Sequence, residues 1–263
     1  METSKDRGKN CLFFSEGIGV DFGGLRALNN VCIAVGENEI RGLIGPNGAG
    51  KSTFFNVATG YIKASSGGIC FEGENISALK PHEIAKKGII RTFQKRGIVP
   101  SLTVLENVLI GYHRLLPEVK IWHIGLRLGR FKSMERKAIG EALDVIRSVG
   151  LQDFSNQLAR DLSFGQQTLT EIARALISRP RLLLLDEPAA GLSSSEREHL
   201  GGLLKGLARS HGVSLMISDH VMDFVMDICE NLSVLNFGEI LAEGPADYIR
   251  QHPRVLEAYI GTG

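Results

Sequence analysis

The sequence predicts an α/β protein, a doubly wound core with a helical segment inserted into it. Three observations carry that prediction. The run Arg181-Leu-Leu-Leu-Leu-Asp186 is short, apolar and unbroken, the pattern of a central parallel strand buried on both faces. Similar runs, Val213–Ile217 and Leu232–Leu235, alternate with helical patterns in the C-terminal part of the chain, which favours a parallel sheet. From about Leu102 to Leu162 the pattern is helical instead. With 263 residues, at ~150 per domain, the chain allows one or two domains and has ample length to bury a core.

Taken in order, residues 1–10 read as a polar tail. Cys11–Phe14, Val31–Val35 and Ile40–Ile44 are apolar runs broken by Gly and Asn, and read as strands. Residues 67–76 alternate and read as a short strand with a turn. Residues 81–87 read as a helix opened by Pro81. In the helical segment, Val104, Leu105, Val108 and Leu109 share a face, as do Ala142, Leu143, Ile146 and Val149, with Gly150 as C-cap. There is no internal repeat and no low-complexity linker.

Composition excludes several classes. Hydrophobic residues at 43% and charged residues at 22% rule out a disordered chain. Lys+Arg 30 against Asp+Glu 29 gives a net charge of +1, so no overall field holds the chain on nucleic acid or an anionic membrane. A spanning helix needs ~20 mostly apolar residues; the longest stretch without Asp, Glu, Lys or Arg runs only from Ser52 to Ile62. The N-terminus mixes both charges and leads into no long apolar core, so no secretory signal is read and the chain is expected in the cytosol. Cys11, Cys32, Cys70 and Cys229 are scattered and are expected as reduced, mostly buried thiols.

The 31 glycines exceed the usual ~7%, and some of them carry chemistry. Gly45-Pro46-Asn47-Gly48-Ala49-Gly50-Lys51-Ser52-Thr53 fits G-x-x-x-x-G-K-[ST]. It follows the apolar strand Ile40–Ile44 and precedes a helix expected to end near Gly60, the context that motif requires. The glycines let consecutive backbone N–H groups turn around an anion, and the helix N-terminus adds its positive end. In this arrangement Lys51 reaches the β- and γ-phosphates of a nucleotide and the Ser52 hydroxyl ligates Mg²⁺.

Asp186-Glu187 closes the Leu-rich strand. A carboxylate at the C-terminal end of a parallel strand faces the crevice where α/β folds bind ligands. Asp186 suits Mg²⁺, usually through water, and Glu187 suits polarising a water for attack on the γ-phosphate. Separately, Ser163 followed by Gln166 reads as a capping box. Leu169, Ile172, Ala173, Leu176 and Ile177 then form one apolar face of a helix stopped by Pro180. A helix N-terminus with a Ser hydroxyl and the bare backbone of Gly165 is a second anion site.

Over about residues 11–261 the chain resembles the ATP-binding subunits of ABC transporters, with the motifs in the family's order. The resemblance implies a P-loop NTPase core, an antiparallel β subdomain and an inserted α-helical subdomain. Residues 11–263 would be one ATPase domain, its core about 11–93 and 163–263 and its helical insert about 94–162. Phe22 stands where the family stacks adenine, and Gln94 in Arg91-Thr-Phe-Gln94 matches the Gln-loop. Leu162-Ser-Phe-Gly-Gln-Gln167 matches the signature, with Ser163, Gly165 and Gln166 bound to the γ-phosphate held by a partner subunit. His220 matches the switch histidine, and Gly191-Leu-Ser193 lies at the D-loop. Phe164, Thr168, Ser193 and Ser194 depart from the usual residues; the changes at Ser193 and Ser194 touch the cross-dimer D-loop contact.

The resemblance implies an ATPase in which Lys51 and the loop amides hold the phosphates. Ser52, Asp186 and Gln94 hold Mg²⁺ and its waters, Glu187 is the general base, and His220 stabilises the departing phosphate. The implied partners are a second ATPase subunit, identical or not, transmembrane permease subunits and, indirectly, a substrate-binding protein, with the chain at the inner face of the membrane. No nucleic acid is expected. Phe22-Gly-Gly-Leu-Arg-Ala-Leu28, Leu102-Thr-Val-Leu-Glu-Asn-Val108, Glu187-Pro-Ala-Ala-Gly-Leu192 and Glu257-Ala-Tyr-Ile-Gly261 are most similar to ATPases of branched-chain amino-acid importers. ATPases of urea or amide uptake and of lipopolysaccharide export remain alternatives, as does a soluble ABC ATPase without a transport task. The basic segment 112–138, with Arg114, Lys120, Arg127, Arg130, Lys132, Arg136 and Lys137, reads either as a solvated helical face or as a surface touching membrane subunits or lipid head groups.

Overall fold

The apolar runs become strands in two sheets of the computed structural model, which describes residues 11–92, 97–115 and 128–260. β1 (Phe13–Phe22), β2 (Leu25–Val35), β4 (Ser66–Phe71) and β5 (Glu74–Asn75) form an antiparallel sheet of order β2-β1-β4-β5. β3 (Ile40–Ile44), β6 (Ile89–Arg91), β7 (Leu182–Asp186), β8 (Ser214–Ser218), β9 (Asn231–Asn236) and β10 (Glu239–Gly244) form the second, of order β10-β9-β3-β8-β7-β6. Neighbours in the second sheet run parallel, except for the β9–β10 hairpin. Every residue of β7 and β8 is buried, as unbroken apolar runs require.

Helix α1 (Lys51–Ala58) follows β3. Its Phe54, Phe55, Val57 and Ala58 share one core with residues of both sheets, among them Phe13, Ile69, Leu43, Leu184 and Met216. Full burial of Phe54 and of Phe55 contributes roughly 1.5–3 kcal/mol each. The opposite face of β3 is covered by α7 (Met222–Ile228): a Cβ on Gly42 would stand 2.8 Å from Val225 and 3.2 Å from the sulfur of Cys229. Strand alternation therefore points Leu182, Leu184 and Asp186 of β7 toward the α1 side. The remaining helices of this unit are α2 (Pro81–Lys87), α6 (Ser194–His211), α8 (Ala246–Gln251) and α9 (Pro253–Ile260).

The chain divides into two units, one running to Arg91 and resuming at Arg181, the other Thr92–Pro180. The second contains α3 (Val104–Gly111), α4 (Leu128–Ser148) and α5 (Phe164–Leu176). A Cβ on Gly111 would stand 1.9 Å from the Arg174 carbonyl oxygen, so glycine permits the close approach of α3 to α5. Asn107 is fully buried and satisfied: its amide donates to Val99 and Thr103 carbonyls at 3.0 and 2.9 Å and accepts from Val99 N–H at 2.7 Å. Ala142, Ile146 and Val149 are buried as the helical spacing predicts, and Gly150 has the left-handed φ of 77°.

Two expectations need correction. Of the four cysteines only Cys229 is buried; Cys11, Cys32 and Cys70 are half-exposed, because they sit on β-sheet positions that face outward or at a strand entry, and all four remain thiols. The clean apolar face of α5 is also wrong. Leu169 and Leu176 are half-buried, whereas Thr168, Thr170 and Glu171 are buried with Ile172 and Ala173. The two threonines satisfy their hydroxyls locally, on the carbonyls of Phe164 and Gln166, so burial extends round more of the helix than its apolar residues mark. Residues 116–127 of the basic segment lie outside the described residues. No helix among the described residues is long and apolar enough to cross a membrane.

Candidate functional site

Gly45 opens the phosphate loop with φ 152°, and a Cβ there would stand 2.0 Å from the Leu235 carbonyl oxygen; only glycine fits. The loop is pinned from β9–β10 by the Gly238 N–H, which donates to Ala49 at 3.0 Å. Asn47, Gly48 and Gly50 line the turn, and Lys51, Ser52 and Thr53 form the first turn of α1, which carries no acidic residue there. The unpaired N–H groups of that turn suit an anion. The Lys51 ammonium donates to the carbonyls of Gly45 and Pro46 at 2.6 and 3.0 Å. Burial pulls its pKa down, opposed by the charges of Glu187 and Asp186. Both carboxylates thus act on the loop lysine.

Asp186 ends β7 with its side chain buried. Glu187 follows with φ 52°, a left-handed conformation uncommon for a non-glycine residue. Its N–H donates to the Ser218 carbonyl at 2.6 Å, tying the end of β7 to the end of β8. His220 lies just past β8 with Nδ1 3.9 Å from a Glu187 oxygen, and its side chain is mostly exposed. Between them sits a residue the motif reading missed. Asp219 is wholly buried and accepts from the N–H of Ala189 at 2.8 Å and of Val221 at 2.9 Å. Burial raises its pKa, and those two N–H groups and His220 oppose the rise. Asp219 thereby joins the loop after Glu187 to the loop carrying His220. The signal available in the sequence was its place at a strand end beside His220.

Phe22 ends β1 and is 47% exposed, so it is an outward aromatic rather than a core residue. On α9 the phenol of Tyr259, half-buried, is hydrogen-bonded to the Gly45 backbone, and burial raises its pKa to about 12. Its sequence signal was the stretch Glu257-Ala-Tyr-Ile-Gly261. In the second unit, Ser163 caps α5 as expected: Oγ accepts from Gln166 N–H at 3.3 Å and Gln166 Oε1 accepts from Ser163 N–H at 2.9 Å. Gly165 is buried in the first turn and Phe164 is 63% exposed. Gln94 lies outside the described residues. Ser193, the D-loop departure, is the N-cap of α6, with Glu196 completing a capping box.

The donor set fits Mg²⁺. Among the described residues no three His, Cys, Asp or Glu side chains converge into a metal cage. Magnesium needs none: it is held by one or two oxygen side chains together with phosphates and waters. Ser52 and Asp186 offer such oxygens beside the phosphate loop.

A phosphate loop between strand and helix, with paired carboxylates closing a nearby parallel strand, defines a P-loop nucleotide-binding protein. Residues 28–190 match the ABC transporter family model. The chain is 40% identical over 245 residues to BraF of Pseudomonas aeruginosa, a high-affinity branched-chain amino acid transport ATP-binding protein, covering 93% of this chain and 96% of that one. It is 37% identical over 245 residues to LivG of Escherichia coli, of the same description, with the same coverage. A nucleotide-free ATP-binding cassette from an ABC transporter superposes with a TM-score of 0.84 at 32% identity, over 95% of this chain and 99% of that one. A dimeric ATP-binding cassette in a post-hydrolysis state, bound to ADP and Pi, gives 0.74 at 26% identity, over 89% and 98%. The chain belongs to the ABC transporter family, as one of its ATP-binding ATPase cassettes.

Proposed function

We propose that this chain is the ATP-hydrolysing subunit of an ABC importer of branched-chain amino acids. The carrying observation is that Lys51, Asp186, Glu187 and His220 all stand at the C-terminal ends of β3, β7 and β8, neighbours in one parallel sheet. That is where α/β folds bind ligands. The substrate class follows from the relatives, BraF and LivG among them.

The loop amides and Lys51 hold the β- and γ-phosphates, and Phe22 stacks on the base. Ser52 and Asp186, with Gln94, hold Mg²⁺, which supplies charge neutralisation on the phosphates. Glu187 orients and deprotonates the attacking water, and His220 holds the γ-phosphate as it departs. Ser163, Gly165 and Gln166 of a partner subunit complete the site, so that two chains close on two nucleotides. Positioning and charge stabilisation supply most of the rate in phosphoryl transfer. Closure and reopening drive permease subunits, through Gln94 and the helical insert, and a substrate-binding protein delivers the amino acid. The chain would then sit at the inner face of the membrane.

Copurification with its permease subunits, followed by ATPase assays with loaded binding proteins, tests this. Stimulation by the leucine-loaded protein is expected; stimulation only by a urea-loaded one overturns the substrate class. Glu187→Gln is expected to bind ATP and accumulate as an ATP-bound dimer. Fast turnover by that variant removes Glu187 from the role of base.

A further inference from the structure

Arg91 ends β6 and is paired in register with Leu184 of β7. Strand alternation puts Arg91 on the same face as Ile89, and Asp186 on the same face as Leu184; that face meets α1. There the guanidinium contacts Asp186, Asn56 and Phe55. One terminal nitrogen donates to Asp186 Oδ2 at 2.8 Å, the other to Asn56 Oδ1 at 2.6 Å, and Cζ lies over the Phe55 ring, 5.4 Å from its centroid. Both charged side chains are almost fully buried, at 7% and 3% exposure. Asn56 and Phe55 belong to α1, which starts at Lys51. A planar fork is suited to bridging two acceptors while stacking on a ring, and an ammonium is not.

We propose that Arg91 is a positioning residue of the hydrolytic site, holding the Asp186 carboxylate in place and tying it to the phosphate-loop helix through Asn56. The inference rests on the reading of Asp186 as the metal-binding carboxylate. Arg91 acts through Asp186, as hydrogen-bonded outer groups orient ligating carboxylates elsewhere. Its guanidinium also gives the buried carboxylate a cationic hydrogen-bonding partner. Glu187 follows Asp186 directly, so the same anchor fixes where the strand ends and the base begins.

The test uses the full-length chain and a fluorescent ATP analogue, titrated in EDTA and again across Mg²⁺ concentrations, alongside hydrolysis. Arg91→Met is expected to keep metal-free nucleotide affinity, which the loop amides and Lys51 provide. It is expected to raise the Mg²⁺ concentration for half-effect by about tenfold or more, in the fluorescence change as well as in turnover. Arg91→Lys keeps the charge but not the fork, and is expected to recover thermal stability while leaving the Mg²⁺ midpoint raised. Asn56→Ala cuts only the tether and is expected to move the midpoint the same way by a smaller step; it decides the matter if Arg91→Met does not fold. A folded Arg91→Met with the wild-type midpoint overturns the proposal, as does a parallel loss of metal-free affinity. Asp186→Asn is the reference: if it leaves the midpoint unmoved, the metal reading of Asp186 fails, a result distinct from any failure of Arg91.

Discussion

Burial raises the Asp219 carboxyl above its ordinary 3.8, against the pull of two N–H donors and His220. The sign of the resulting pH dependence is fixed. A carboxyl raised in the folded state contributes stability that is fully present below the unfolded value and is lost as pH rises through the folded one. Wild type should therefore gain stability relative to Asp219→Asn as pH falls from neutral toward 3.8. Near neutral pH the variant should lose about 1–3 kcal/mol, because its amide NH₂ leaves the Ala189 or the Val221 N–H without an acceptor. Denaturant midpoints of both proteins at several pH values check this; a constant difference across the window refutes it. Asp219 and Arg91 were illegible as site residues for the same reason: each acts through burial and through partners distant in sequence, Arg91 with Asp186 and Asp219 with Ala189. Lys51, Asp186 and Glu187 were legible because their chemistry sits in contiguous motifs beside apolar strands.

Among elements, the helix starts were the most readable feature. The capping box read at Ser163–Gln166 forms, and the structure adds two of the same S/T-x-x-E pattern, at Thr103–Glu106 and Ser193–Glu196. The spacing is local, so tertiary packing has little power to override it. β3 and α2 have the bounds expected from the sequence. β1 and β2 run longer than their apolar cores, since the hairpin through Gly23 and Gly24 is held by backbone pairing that polar residues satisfy equally well. The D-loop departure finds its account at this scale. Ser193 Oγ accepts from the Glu196 N–H at 3.3 Å and donates to the Glu196 carboxylate at 2.7 Å, so serine here serves α6. Ser193→Ala should cost about 1 kcal/mol, and Ser193→Asp should restore most of it, since both serine and aspartate are strong N-caps. Thermal or denaturant unfolding reads the difference; equal stability of the Ser193→Ala variant and the wild type would remove the cap from the explanation.

For the whole molecule, the two-sheet architecture and the inserted helices followed from apolar periodicity and family resemblance. The extent of burial around α5 and the seat of Tyr259 against Gly45 did not, because neither leaves a periodic trace. The distribution of site residues between the units yields a prediction. Lys51, Asp186, Glu187 and His220 lie in the unit ending at Arg91 and resuming at Arg181, whereas Ser163, Gly165 and Gln166 lie in Thr92–Pro180. If each nucleotide is completed by the partner's signature, ligands should protect the two units differently. Hydrogen exchange reports local opening segment by segment. ADP should protect β3, the loop and the start of α1, and leave the N-terminus of α5 unchanged. ATP bound to Glu187→Gln should add protection at Ser163–Gln166, and that increment should vanish on dilution below the dimer's dissociation constant, because it belongs to a second copy. Adding Lys51→Ala to the Glu187→Gln background should abolish both effects. Protection of α5 by ADP alone at low protein concentration would place the signature's phosphate contact within one chain and would overturn the two-chain site.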